Sequence, residues 1–414
     1  MEEVLVVRIL LLTQWFDPEP TFKGLVFARE LLRQGFEVEV LTGFPNYPNG
    51  KVYPGYRIKW LQREILDGVR ITRVPLYPNH NQSAVKRVLN YLSFAASALF
   101  YGLFMAQRPD VLYAYHPPVT VGITASLIRL LRRIPVVYDV QDLWPDTLRA
   151  TGMVNSPRLL RLIDAICRWV YRRVDRVVVL SPGFRRVLLE RGVPAAKVEV
   201  IYNWADERLL TDPVRPLPAE FPEPGRFRIL FAGNMGKAQA LETVLDAAAL
   251  LQARASRVCF VMLGGGVEAA KLQEQAARRQ LRNVTFLPPV PMAEVGVFLH
   301  AADALLVHLH KDPLFEITIP SKTQAYMAAG KPLLMAVGGD AADLVRQSGG
   351  GVLAESESAE SLAAAAESLS ALAPADLLAM GLKARNYYRH HLAMVAGVTR
   401  FADLFRRLMV GVAL

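Results

Sequence analysis

The sequence predicts an α/β protein made of two doubly wound, Rossmann-like domains, on three observations. Short apolar runs alternate with segments of helical spacing along nearly the whole chain. A proline-rich stretch interrupts the alternation near the middle, after which it starts again. The length of 414 residues suits two domains of roughly 200 residues each.

Val6–Leu12 is apolar except for Arg8 and short enough for a parallel strand buried on both faces. Glu2, Glu3 and Arg8 argue for a first strand over a secretory leader, which starts basic and ends at small residues. Phe22–Arg33 has helical spacing, and Val38–Thr42 is a second strand. Val111–Tyr115, Val136–Asp139 and Arg176–Leu180 continue the series of strands. Asp212-Pro213-Val214-Arg215-Pro216-Leu217-Pro218, then Pro222 and Pro224-Gly225, cannot sustain helix or sheet, so 206–226 reads as a linker. Beyond it come strand Phe227–Phe231, helix Ala240–Ala253, strand Val258–Leu263, helix Val267–Arg279, and strands Val284–Leu287 and Ala304–Val307. Tyr387–Leu408 has helical spacing and can return to the first domain. The division is 1–205 with 387–414, linker 206–226, and 227–386, with a cleft expected between the two domains.

Composition excludes several classes. The chain is 52% hydrophobic and 21% charged, too apolar for a disordered protein. Cys167 and Cys259 make no CxxC pair, which argues against a disulfide framework or zinc site and for a reducing cytosol. Residues 1–205 carry 27 Lys/Arg against 17 Asp/Glu, a balance of +10, whereas 206–414 carry 21 of each. A basic first half suits anionic lipid or a diphosphate-bearing acceptor, and no nucleic-acid motif accompanies it. Val88–Gln107 bears no charge along its length, which fits a buried or half-buried helix, a membrane-surface helix beside Lys86 and Arg87, or a membrane span.

Strand Phe227–Phe231 runs into Gly233-Asn234-Met235-Gly236-Lys237 and a predicted helix, an arrangement that aims backbone N–H groups and a cation at an anion. Gly264-Gly265-Gly266 forms a second such loop at the same sheet end. Neither fits GxGxxG or a P-loop, which disfavours nicotinamide or ATP. Pro320-Ser321-Lys322 begins a helix with Ser321 at its N-cap, Gln324 inside and Gly330 at its end. Glu316, just before it, is placed to accept hydrogen bonds from sugar hydroxyls. No Asp-x-Asp motif calls for a metal.

The order of these pieces resembles the retaining GT-B glycosyltransferases of family 4. PSKTQAYMAAGKP, Pro320–Pro332, is similar to the family's signature helix; Glu316 takes the first acid position, which contacts the transferred sugar, and Gln324 takes the second, which holds ribose. Leu11–Gly50 resembles the family's opening strand, glycine loop and helix, with Lys23-Gly24 standing for the usual Gly-Gly near the donor diphosphate. FPNYPNGK and YDVQDLWPDTLRATGM resemble a WbuB-like branch that builds surface polysaccharides such as O-antigen.

The resemblance implies a GT-B fold with the C-terminal helix returning to the N-terminal domain. It implies His116, Glu316 and Lys237 as catalytic residues. Gly24, Gly233, Asn234, Gly236, Gly264, Gly265, Ser321, Lys322 and Gln324 would bind donor, and Asn46, Tyr47, Asp142 and Trp144 would bind acceptor. Asn234 departs from the family's phosphate-binding Arg, which leaves Lys237 to carry that charge. The activity expected is sugar transfer from a nucleotide diphosphate sugar, UDP-linked, to a polyprenyl-diphosphate-linked saccharide at the cytoplasmic face of the inner membrane. No cofactor or metal is required. The alternatives are a UDP-sugar 2-epimerase of the same fold and a non-catalytic nucleotide- or glycan-binding scaffold.

Overall fold

The computed structural model describes residues 6–79, 84–207, 216–223 and 225–410. Glu2 and Glu3, linker residues 208–215 and 224, and the last four residues of the C-terminal segment lie outside the described residues. The chain divides into two compact units, Met1–Ile201 with Gly397–Leu414, and Tyr202–Ala396.

The first unit holds β1 (Arg8–Thr13), β2 (Glu37–Gly43), β3 (Gln62–Leu66), β4 (Val69–Val74), β5 (Val111–Tyr115), β6 (Val136–Val140), β7 (Arg176–Val179) and β8 (Val198–Val200). They form one sheet in the order β3-β4-β2-β1-β5-β6-β7-β8, parallel except for the β3–β4 hairpin. Central strands such as VLYAY and VVYDV are buried at every position, as strands covered by helices on both faces must be. Sequence periodicity misses the hairpin because QREIL turns Arg63 and Ile65 outward and half-buries Gln62, Glu64 and Leu66, so neither face is apolar. The chain leaves β1 toward β2 and later resumes at β5 on the other side. Loops at the carboxyl ends of β1 and β5 therefore diverge and leave a crevice.

That crevice is braced from beneath. Lys23 is fully buried, and its ammonium donates to Asp139 Oδ2 at 2.5 Å. Asp139, on β6, also accepts from the Tyr113 hydroxyl at 2.5 Å and from Gln141 Nε2 at 2.6 Å. Burial pulls the Lys23 amine below its ordinary range while Asp139 opposes that pull. The Phe401 ring closes over the ammonium at 4.9 Å.

The second unit holds β9 (Phe227–Asn234), β10 (Val258–Gly265), β11 (Val284–Leu287), β12 (Ala304–His308), β13 (Leu333–Ala336) and β14 (Gly351–Leu353). All pair in parallel, in the order β11-β10-β9-β12-β13-β14, with the reversal of direction between β9 and β12. β9 and β10 run past Phe231 and Leu263 to Asn234 and Gly265, so both glycine segments are partly strand. Glycine is required there: Gly264 has φ +134°, and a Cβ on it would lie 2.1 Å from the Gly233 carbonyl oxygen.

Four sequence expectations change. The first helix begins at Leu25, not Phe22, because Gly24 is its N-cap and Asp17 accepts from the Leu25 N–H at 2.6 Å. The GNMGK segment does not enter a helix directly; a 3₁₀ turn, Lys237–Gln239, intervenes before helix Glu242–Ala253. Ser321 is not an N-cap: Pro320 holds that position, and no side chain caps the helix. Tyr387–Leu408 is two helices, Pro374–His391 and Met394–Val410, and the chain rejoins the first unit at Gly397. Tyr388 and Leu392 are committed to the second unit's core, whereas Phe401 and Phe405 pack on Tyr113.

Substituting Lys23→Met should destabilise the protein by about 3–5 kcal/mol in urea denaturation, because it strands a buried carboxylate. The pair Lys23→Met with Asp139→Asn should recover part of that loss. A single-variant change under about 1 kcal/mol would show that the pair is not the brace.

Candidate active site

Two carboxyl edges gather the candidate residues, one in each unit. In the first unit, Gly24 sits where the resemblance places a diphosphate, but the adjoining helix N-terminus is already taken. The Asp17 carboxylate accepts from Leu25, and a Cβ on Gly24 would lie 2.1 Å from that carboxylate. His116 follows β5 and is 2% exposed, with its ring edge-on to Trp144 at 5.3 Å and to Tyr138 at 5.9 Å. Burial pushes its pKa down to about 3, so the imidazole is neutral at physiological pH. Its buried Nδ1 has no hydrogen-bond partner among the described residues. Asp142 follows β6, with its carboxyl raised above the ordinary range by burial, and its carbonyl accepts from the Trp144 N–H at 3.0 Å. His116 and Trp144 are thus in contact, and Asp142 lies two residues along the same loop.

Asn46 and Tyr47 have different surroundings. Asn46 is 1% exposed and engaged internally: Nδ2 donates to the Phe44 carbonyl, and Oδ1 accepts from Asn90. The Asn46 side chain thus has its hydrogen-bond partners within the fold. Tyr47 is half-buried and stacks on Trp15 with ring centroids 4.5 Å apart. Trp15, which sequence reasoning missed, shares that aromatic surface.

Glu19 was also missed. It is buried, and Oε1 accepts from the backbone N–H groups of Asn46 and Tyr47, both at 2.7 Å, while Oε2 accepts from Phe16 at 3.2 Å. It therefore staples the loop after β1 to the loop after β2. Burial raises its carboxyl to about 7, partly opposed by those N–H groups and by Arg73. Arg73 is fully buried, donates to the carbonyls of Asp17 and Gly43, and pairs with Glu64 at 2.7 Å. No sequence signal marks either residue, since an acid between two prolines and an arginine in a strand read as surface residues.

In the second unit, Tyr326 ties helix Ser321–Ala329 to β9 by accepting from the Ala232 N–H at 2.9 Å. This tie sets Lys322 against the end of β9. Its Nζ lies 3.6 Å from the Phe231 ring centroid and 3.4 Å from where a Cβ of Gly233 would be. The nitrogen is buried without a hydrogen-bond partner among the described residues, and burial lowers its pKa to about 7. His308, at the end of β12, is fully buried; Nδ1 contacts the Gln239 carbonyl at 2.7 Å, and Nε2 has no partner among the described residues. It is a second polar group that sequence reasoning missed.

Gly233 and Asn234 pair with Gly264 and Gly265 along β10, and the Met235 N–H donates to the Gly265 carbonyl at 2.7 Å. Gly236 accepts a tight turn, its N–H donating to Gln239 Oε1 at 2.9 Å. Lys237 and Ser321 are exposed. Glu316 is exposed too, at the end of a single turn capped by Asp312. Its carboxylate oxygen lies 3.8 Å from where a Cβ of Gly338 would be, at the start of helix Gly339–Ser348. Gln324 is 2% exposed; with its amide nitrogen toward the helix start it donates to the carbonyls of Pro320 and Ser321, at 2.8 and 3.2 Å. A carboxylate there has no proton to donate to them.

Comparison with known proteins agrees with this geometry. Residues 25–204 match the Glycosyl transferase 4-like domain, and residues 226–371 match Glycosyl transferases group 1. The chain is therefore a glycosyltransferase of the GT-B class. In particular, it joins a 4-like N-terminal domain to a group 1 C-terminal domain. It is 29% identical over 338 residues to WcaI of Escherichia coli (strain K12), named as a colanic acid biosynthesis glycosyl transferase, with 78% of this chain and 82% of that one covered. Its fold is similar to sucrose-phosphate synthase from Thermosynechococcus elongatus, with TM-score 0.72, 16% identity, and coverage of 98% and 100% of the two chains. Anabaena HepE in complex with UDP is similar at TM-score 0.68 and 16% identity, covering 97% and 100%.

Removing the Glu19 staple should free the loop that carries Tyr47. In hydrogen exchange, Glu19→Ala should speed exchange of the 44–50 segment by about tenfold or more, while Glu19→Gln, which keeps an acceptor oxygen, stays near wild type. Because its folded pKa is raised, Glu19 contributes stability that is full below the ordinary carboxylate range and lost as pH rises through about 7. The thermal midpoint should therefore fall more between pH 4.5 and about 7 in wild type than in Glu19→Gln, with no further difference developing above that range. Unchanged exchange in Glu19→Ala would rule out the staple.

Proposed function

We propose that this glycosyltransferase is a retaining enzyme that moves a hexose or N-acetylated amino sugar from a UDP-sugar to a polyprenyl-diphosphate-linked saccharide, in surface polysaccharide synthesis. The observation that carries the donor assignment is the Lys322 ammonium, buried with no hydrogen-bond partner among the described residues, beside Gly233 at the carboxyl edge of β9. A buried cation costs free energy unless an anion meets it, and a diphosphate there supplies the missing charge. The Gly233 and Gly264–Gly265 backbone lets that anion approach closely, and exposed Lys237 adds a mobile cation in the role expected of it. Asn234 then needs to carry no charge, because Lys322 replaces what the usual Arg supplies.

Glu316 accepts hydrogen bonds from sugar hydroxyls, and neutral His116 offers a ring nitrogen to a saccharide hydroxyl. Charge developing on the leaving diphosphate is met by Lys322, Lys237 and backbone N–H groups. Retention follows when the acceptor oxygen enters on the face that the diphosphate leaves. HepE was solved with UDP, and WcaI is named for colanic acid; both support the donor and pathway class proposed here. Trp15, Tyr47, Asp142 and Trp144 are the acceptor surface in this reading, at the cytoplasmic face of the inner membrane. Gly24 and Gln324 act as scaffold.

Thermal-shift screening of UDP-, GDP- and dTDP-sugars should show the largest stabilisation with UDP species, and a clear GDP preference would overturn the donor assignment. Incubation with a UDP-sugar alone should give no 2-epimer. Glu316→Ala should lower transfer at least about a hundredfold with little change in UDP affinity, and full activity of that variant would sink its role.

Lys322→Met should weaken UDP binding by about 10–100-fold. Free Lys322 loses its proton as pH rises through about 7, so UDP affinity should fall across that range and binding should take up a proton above it. Calorimetry in two buffers of different ionisation heat measures the uptake. Uptake equal in wild type and Lys322→Met would dismiss Lys322 as the phosphate cation.

A further inference from the structure

The helix Ala84–Phe104 has two unlike faces. Inward, Asn90, Phe94, Ala98 and Tyr101 are buried against the first unit's sheet. Outward, Val88 and Leu89 near the start, Leu92 at 52%, Phe100, and Phe104 at 73% are large, apolar and exposed, with exposed Ala96 between Leu92 and Phe100. Trp60, 67% exposed on a separate segment, packs edge-on against Phe100 at 5.6 Å and widens the stripe. No single helix among the described residues is long and apolar enough to cross a membrane. An apolar face of this extent on a single helix marks a surface that some partner covers.

Charge decides which partner. Residues 48–63 and 84–104 contain Lys51, Arg57, Lys59, Arg63, Lys86 and Arg87 and no acidic residue. All of them except half-buried Arg87 are exposed. Glu64, next along the chain, is paired with Arg73, and Glu39 accepts from Tyr101, so the exposed charges named here are all cationic. An apolar stripe with such cations beside it fits the headgroup boundary of an anionic bilayer, where the side chains enter the acyl region and the cations meet lipid phosphates. A protein partner would be expected to draw acidic rim residues into the match as well. We infer that the outward face of Ala84–Phe104, with Ile58–Trp60, is the surface by which this protein lies on an anionic lipid bilayer.

The same helix connects that surface to the candidate acceptor loops. Asn90, on its inner face, accepts from Gln14 Nε2 at 2.6 Å and donates to Asn46 Oδ1 at 3.3 Å. Gln14 adjoins Trp15, and Asn46 adjoins Tyr47. Docking by the outer face therefore holds at the bilayer the helix to which both of those loops are tied. This link rests on the proposed acceptor; the lipid binding itself does not.

The test is flotation of the full chain with phosphatidylcholine vesicles, with and without phosphatidylglycerol, read without any activity assay. The protein should float with the anionic vesicles, less with the zwitterionic ones, and less again as salt rises. Binding should blue-shift tryptophan emission, and Trp60→Phe should remove most of the shift. Leu89→Glu with Leu92→Glu should reduce binding at least about tenfold with the thermal midpoint unchanged, since both side chains already face water. Failure of the wild type to float, or equal flotation of the double variant, overturns the inference. So does a wild-type dimer in sedimentation that the double variant dissociates, which would make the face a contact between two copies. Flotation without transfer activity would leave the surface standing and fault the reaction instead.

Discussion

A lysine ammonium taken out of water must find a carboxylate, find a ligand, or give up its proton, and this chain builds around two such lysines. Lys23 finds its carboxylate within the fold. Asp139 meets it, Tyr113 and Gln141 fill the remaining acceptor positions, and Phe401 from the returning chain covers it. Three strands' worth of loops and the C-terminal segment are thereby pinned at one sheet edge. Lys322 has no such carboxylate among the described residues. Its nitrogen rests on the Phe231 ring beside Gly233, and burial brings its pKa to about 7. The same residue type meets a carboxylate in one unit and has no hydrogen-bond partner among the described residues in the other.

The departures from the family pattern become physically coherent in that light. Lys23 occupies a glycine's place because the first unit uses that loop for an internal ion pair, and Asp17 fills the helix end beside Gly24. Gln324 serves the start of its own helix, where an amide can donate to two carbonyls. Glu19 and Arg73 then hold the loops after β1 and β2 in register, so the aromatic pair Trp15–Tyr47 has a fixed seat.

Much was legible from residue order alone. Apolar runs of strand length, separated by helical spacing and broken once by prolines, determined two parallel-sheet units, because a strand covered on both faces has no polar side to show. Glycines at 233 and 264 marked two glycine turns at one sheet end, and the pairing of β9 with β10 added why 264 must be glycine. The order of PSKTQAYMAAGKP after Glu316 marked the glycosyltransferase class, and the uncharged stretch after Arg87 marked an apolar helix. Tertiary structure alone decided which polar residues are spent. Asn46 carries no sign that Asn90 and Phe44 consume its amide, Glu19 none that three backbone N–H groups converge on it, and Lys322 none that its nitrogen lacks a partner. Partnership between groups dozens of residues apart depends on where strands place them, and periodicity, which is local, cannot report it.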